Sequence, residues 1–483
     1  MKARDRRLAA TALALGATAW TLLAHGQEGG GLRYGPAVEP AAPIAPIPTL
    51  TTPDDALPPW TERGDVPVPA WVRSVAPNRP DAAFYVEPGK LDARRGSAQL
   101  GARLPLFATR RGPGCQGRWL NVGPLAWICS DVADYVADEP GAPPLGARPW
   151  TLPGGDAIRP PRAGARGLPP IDPMAADDDG LPFRYYFAGA DGAYGFTSLA
   201  RALDDAPDQE LEKGFAVAAV AEQRAHGESW VKTKKGRWIA LRELVPARPF
   251  LLHGVRVEDG KLDAAWVVSD RASTFASEKA DKGAGTRVRY EHVRIVEEKP
   301  SPLPQGGMVK VESERGAAWM RARDLARARL APPPPEVTGP NERWIDVDLA
   351  QQTLVAYEGA TPVFATIVST GKGPPGSEFA TRPGTHRIWV KIFTSKMDNL
   401  DKDDVDRHYA IEDVPWVQFF DGAIALHGAF WHRDFGRVRS HGCVNLAPLD
   451  ARWLFAFTAP QLPAGWTAAL PTKLEPGTVV RVR

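Results

Sequence analysis

Short stretches that alternate apolar and polar residues, each cut off by Gly or Pro, recur along this chain and steer it towards β-structure. Residues 343–370 contain Trp344-Ile345-Asp346-Val347-Asp348, then Thr353-Leu354-Val355-Ala356-Tyr357, then Val363-Phe364-Ala365-Thr366-Ile367-Val368, with Glu358-Gly359 as a turn. A period of two puts successive side chains on opposite faces of a strand, so these runs predict a sheet. Upstream, Trp119 and Trp127 stand eight apart, as do Trp230 and Trp238, and each second tryptophan is followed by Ile. Met308-Val309-Lys310 and Trp319-Met320 echo the pattern. Each reads as strand, turn, strand. The expectation is three small β units over 81–140, 183–248 and 262–330, with one composite β domain as the alternative.

Proline divides the chain. Residues 27–80, with Pro-Ala-Ala-Pro-Ile-Ala-Pro-Ile-Pro inside them, hold too little apolar surface to offset chain entropy and read as an extended tether. Pro332 to Pro335 and Gly339-Pro340 mark a second spacer, 331–340, ahead of a last domain at 341–483. At the other end, Lys2, Arg4, Arg6 and Arg7 precede an apolar run from Leu8 to Ala24, and Ala24-His25-Gly26 supplies small residues for cleavage. Residues 1–26 therefore read as an export signal, which predicts a periplasmic or envelope protein. An uncleaved anchor is the second choice and a buried N-terminal helix the third; any membrane contact is expected through this segment alone. Lys+Arg 59 against Asp+Glu 57 leaves a net charge of +2 with no basic block, which argues against a nucleic-acid partner.

Three cysteines fit an oxidising compartment. Cys115 and Cys129 lie close together and Cys443 stands apart, so the simplest arithmetic is one disulfide and one reactive thiol. Two unpaired core cysteines are the alternative. Five of nine histidines, His386, His408, His427, His432 and His441, fall within the segment that ends at Cys443. A thiol with a pKa near ~8.5 is a poor nucleophile at neutral pH unless an imidazole takes its proton or holds it as thiolate. Ile424-Ala425-Leu426 is an apolar strand that would deliver His427 to a sheet end. Gly442, next to Cys443, removes a side chain where a carbonyl must approach and lets amide N–H groups turn toward an oxyanion.

His427-Gly428, followed by Ser440-His441-Gly442-Cys443-Val444-Asn445, resembles the signature of L,D-transpeptidases with the YkuD-type catalytic domain. Thr381-Arg382-Pro383-Gly384 and Val414-Pro415-Trp416 are similar to further family features. The resemblance covers 343–482 and implies a mainly β fold, with a C-terminal YkuD-type β-sandwich. It implies cleavage of the bond between residues three and four of a peptidoglycan stem peptide through a cysteinyl thioester. Transfer to a diaminopimelate amine gives a 3→3 cross-link; relatives use a lipoprotein lysine, water or a free D-amino acid.

By matching position, Cys443 is the nucleophile and His427 the base, oriented by a carbonyl near Gly428. His441 would assist protonation, and amides around His441, Gly442 and Cys443 would receive the oxyanion. Ser440, Asn445, Trp431 and Arg437 would contact substrate, with His432 beside Trp431 along the donor groove; Asn445 can instead fix the loop, and Arg437 reads equally as a solvated loop arginine. His386 and His408 read as ordinary loop histidines. Carbapenems are expected to acylate Cys443. No cofactor is expected. A zinc site from His427, His432, His441 and Cys443 is the chemical rival, disfavoured by irregular spacing and a single cysteine. A wall-binding protein without catalysis is the other. The tryptophan hairpins resemble bacterial SH3-like barrels, which implies small SH3-like units ahead of the catalytic domain.

Overall fold

The computed structural model describes residues 68–143, 145–146, 179–225, 227–301, 306–398 and 409–483. The expected export signal, most of the tether and His408 lie outside the described residues.

The alternating runs of the last domain form the strands they predict. Arg343–Asp348, Thr353–Glu358 and Thr361–Ile367 make an antiparallel meander in which Ile345 faces Ala356 and Leu354 faces Thr366. Val479–Val482 returns to pair parallel with Arg343–Asp348, and Gly384–Arg387 closes the other side. A second sheet carries Val390–Asp398, Ala410–Asp421, Ile424–Gly428 and Val444–Leu446. Ile345, Val347 and Phe364 from the first sheet share one core with Trp416 and Leu426 from the second and Trp453 and Leu454 from the helix Pro448–Phe457. Pro448 suits the first helical turn because the N–H it lacks would have no partner there. At the far end Lys391, fully buried, donates to the carbonyls of Phe455 and, at 2.9 Å, Thr458. It satisfies helix-end acceptors that would otherwise be orphaned. Burial pushes its ammonium down to about 7.

The upstream units share one tail. Trp119–Gly123 and Ala126–Cys129 form a hairpin, then comes the 3₁₀ turn Ser130–Val132, then the strand Ala133–Val136. The order repeats in Glu228–Thr233, Trp238–Ala240, Leu241–Glu243 and Leu244–Pro246. It repeats again in Met308–Ser313, Gly316–Arg321, Ala322–Asp324 and Leu325–Arg327. In the first unit Cys115 and Cys129 are disulfide-bonded, with Cα atoms 5.6 Å apart.

One spacer boundary needs correction. The tether was expected to reach residue 80, but Ser74–Pro77 is a strand paired with Ala133–Val136, and Val75 is fully buried. Proline content hid it: Pro77 ends the strand, a position where its missing N–H costs no ladder bond. The 331–340 spacer is laid against the last domain. Ala331 N–H donates to Tyr357 Oη at 3.0 Å, Arg481 to Pro332 O at 2.7 Å and Arg387 to Glu336 O at 2.9 Å.

The described residues fall within one compact unit, Pro59–Arg483. In the second unit Ala216 pairs in parallel with Ile411, and in the first Gly96 and Ser97 pair with Ala469 and Ala468. Gly96 is required there, since a Cβ would lie 2.3 Å from Ala468 O. Val255–Arg256, between the second and third units, adds a strand to Thr361–Ile367.

Candidate active site

The strand Ile424–Gly428 lies between Ala410–Asp421, antiparallel, and Val444–Leu446, parallel. The parallel register sets Leu426 against Val444 and His427 against Asn445, so Cys443 enters one step ahead of its strand, beside the strand of the histidine. The turn before Cys443 is held from several sides. Ser440 Oγ accepts from Gly442 N–H at 3.2 Å and donates to Cys443 O. Gly442 has φ +119°, which L side chains rarely adopt, so this position calls for glycine. Its carbonyl accepts from Thr381 Oγ1 at 2.6 Å, and Thr381 Oγ1 accepts in turn from Gly371 N–H at 2.9 Å. Thr381 is thus a brace that residue-level reasoning had not assigned; its place in the Thr-Arg-Pro-Gly motif was the available signal.

These bonds correct two expectations. Ser440 is buried with its hydroxyl engaged on both sides, so it shapes the turn rather than meeting substrate. Gly442 N–H is committed to that hydroxyl, which removes it from the amides expected to receive an oxyanion.

His427 is 2% exposed, and its Nδ1–H donates to Gly428 O at 3.2 Å. That bond leaves the lone pair on Nε2, the atom a general base needs. Burial lowers its pKa to about 4, against the opposing pull of the Gly428 carbonyl. Cys443, the free cysteine, is half-buried; desolvation pushes its thiol up to about 11, partly opposed by a backbone hydrogen bond with Ala425. At neutral pH the resting pair is thiol and imidazole, not thiolate and imidazolium.

Trp431 stacks on His427, centroids 5.6 Å apart, and so buttresses the base. His432, 7% exposed, accepts at Nδ1 from Asp434 N–H at 3.2 Å, and its Nε2 lies 2.8 Å from the Asn445 side-chain amide. Burial, then repulsion from Arg439, holds its pKa down to about 4. A neutral imidazole that accepts at Nδ1 carries its proton on Nε2, so the Asn445 atom facing it must be the oxygen. That orientation also gives a donor to the carboxamide oxygen, which is otherwise buried without one. With both ring nitrogens engaged, His432 has no lone pair to offer a metal. Asn445 therefore acts on His432 of the loop, which is the loop-fixing role among the two open to it.

His441 is exposed, its ring stacked on Tyr409 at 5.8 Å and edge-on to Phe379 at 4.9 Å. Those contacts make it part of an aromatic wall. Arg437 donates to Val268 O at 2.9 Å and lies 3.7 Å from Asp270, so it reaches the third β unit.

Residues 342–482 match the family model described as the YkuD L,D-transpeptidase catalytic domain. The last domain is of the YkuD type. No curated protein matches the chain. Among solved structures, a Cys-to-Ser variant of the Enterococcus faecium L,D-transpeptidase is 20% identical, covering 29% of this chain and 50% of that one, with TM-score 0.22. An L,D-transpeptidase from Stackebrandtia nassauensis is 27% identical, covering 30% and 57%, with TM-score 0.21. The catalytic domain of the E. faecium enzyme acylated by ertapenem is 21% identical, covering 30% and 100%, with TM-score 0.23. The chain spans about half the length of the first two of these relatives. The YkuD domain accounts for less than a third of the 483 residues, and the three β units stand outside the match.

Proposed function

We propose that this protein is an exported peptidoglycan L,D-transpeptidase that forms a thioester between Cys443 and a stem-peptide donor and passes it to an amine, making 3→3 cross-links. One observation supports the reading: a free thiol stands at the head of the strand Val444–Leu446, which pairs with the strand of a histidine whose Nδ1–H is tied to Gly428 O, leaving Nε2 to accept a proton.

The chemistry follows from the protonation states. As Sγ attacks the carbonyl carbon of residue three, its proton passes to His427 Nε2, and the C=O electrons move onto oxygen. Collapse breaks the C–N bond, and the departing amine takes the proton back from Nε2. The acceptor amine then attacks the thioester, His427 removes its proton, and the sulfur leaves to regain it. With its pKa held down to about 4, His427 is neutral at neutral pH, so Nε2 carries a lone pair that can accept a proton. The small upstream units, read as SH3-like, would hold the enzyme to the wall.

A carbapenem offers a strained acyl carbon to the same sulfur. Intact-mass spectrometry should find one adduct on the wild type and none on Cys443→Ala; equal labelling of both would remove the nucleophile. Muropeptide products from a tetrapeptide donor then identify the acceptor: a dimer supports cross-linking, a tripeptide points to hydrolysis.

A further inference from the structure

The chain between base and nucleophile, residues 431–440, is gripped from two directions. On the YkuD side, Gly436 N–H donates to Val368 O at 2.8 Å, Ser369 Oγ to Arg437 O at 2.6 Å, and Arg439 N–H to Thr370 O at 2.8 Å. From the third β unit, Tyr290 Oη donates to Arg433 O and Arg289 to Phe435 O at 3.4 Å. Arg437 reaches back to Val268 O, and a Cβ on Gly436 would lie 2.5 Å from Val268 Cγ1. Phe435, fully buried, stacks on Phe250, which packs against Tyr290 at 4.6 Å.

The Tyr290 and Arg289 bonds differ from an ordinary docking face because they end on backbone carbonyls of the loop. They fix its main-chain path, not merely its side chains. Tyr290 itself sits at φ +72°, a conformation costly for an aromatic residue and kept only where its surroundings demand it. The same loop carries Trp431, stacked on His427, and His432, bound to Asn445.

We propose that Tyr290 and Arg289 of the third β unit are positioning residues for the loop joining His427 to Cys443, so that this unit is a working part of the active site. The proposal rests on the transpeptidase reading for its kinetic consequence but not for its structural one. A base and a nucleophile joined by a loosened loop lose alignment, and small misplacements are expensive in rate.

The test uses the full chain with Tyr290→Phe, Arg289→Met and the double variant. Tyr290→Phe removes only a hydroxyl and preserves ring packing. Hydrogen exchange should accelerate across residues 431–440 while Ile424–Gly428 keeps its protection. Cys443 acylation by a carbapenem should slow about tenfold in the double variant. In donor turnover the loss should fall on kcat, with KM changed less than twofold, and Arg289→Lys should recover most of the rate. Unchanged exchange in the loop overturns the proposal. So does faster loop exchange with unchanged acylation, and so does a rise in exchange throughout the chain, which would report lost folding. If the wild type is acylated but turns over no stem peptide, the transpeptidase reading fails while the exchange and acylation arms still decide this one.

Discussion

His427 and His432 flank Trp431 and carry their protons on opposite ring nitrogens. Gly428 O accepts from Nδ1–H of the first; Asp434 N–H donates to Nδ1 of the second. One is left with a basic Nε2, the other with an Nε2–H that turns the Asn445 carboxamide. Long-range ¹⁵N–¹H correlation of the two rings should show Nδ1–H for His427 and Nε2–H for His432, and identical tautomers would break the site as described. Acid behaviour follows with a definite sign. Burial lowers both imidazoles to about 4, so the neutral, active form persists far below the ordinary histidine range. The rate of Cys443 acylation should hold as pH falls through 6.5 and drop only toward about 4; a midpoint near 6.5 would mean the base is solvated. That Ile424-Ala425-Leu426 is a strand leading into His427 was legible in its apolar run. The roles of Ser440 and Gly442 were not, because each is set by hydrogen bonds to a turn whose geometry no local pattern reports.

Among the elements, the hairpins were the most readable. Tryptophans eight apart place Trp119 against Cys129 and Asn121 against Trp127 in one unit, and Trp230 against Ala240 in the next. Apolar alternation says which face a residue takes, and that was enough to find these strands. It does not say that a 3₁₀ turn precedes the last strand of each unit, since Ser130–Val132, Leu241–Glu243 and Ala322–Asp324 share little beyond an acidic residue. The first hairpin is also covalently closed. A bridge spanning 14 residues, as between Cys115 and Cys129, removes loop-closure entropy from the unfolded chain worth about 3 kcal/mol. Cys115→Ser should lower denaturant stability of the first unit by that order while leaving the carbapenem reaction of Cys443 intact. A variant as stable as wild type would make the bridge incidental.

At the scale of the whole molecule, sheet edges are the organising fact. An open edge presents unpaired N–H and C=O groups to any other strand, and proteins cover such edges or suffer association. Here the second unit pairs Ala216 with Ile411, the first pairs Gly96 with Ala469, and the connector pairs Val255 with Ala365. Each pairing covers backbone of the YkuD domain with a segment more than a hundred residues away in sequence. None was legible, because strand patterns specify faces and not partners. Residues 341–483, produced alone, would expose Trp466–Ala469, Thr361–Ile367 and the Ile411 end of Ala410–Asp421, along with Phe435, which Phe250 now stacks upon. The excised domain should self-associate with rising concentration in sedimentation velocity, whereas residues 68–483 should remain a single species. If the fragment stays monomeric and unfolds at the same denaturant concentration as the longer chain, the upstream units do not protect these edges, and they are passengers on the enzyme.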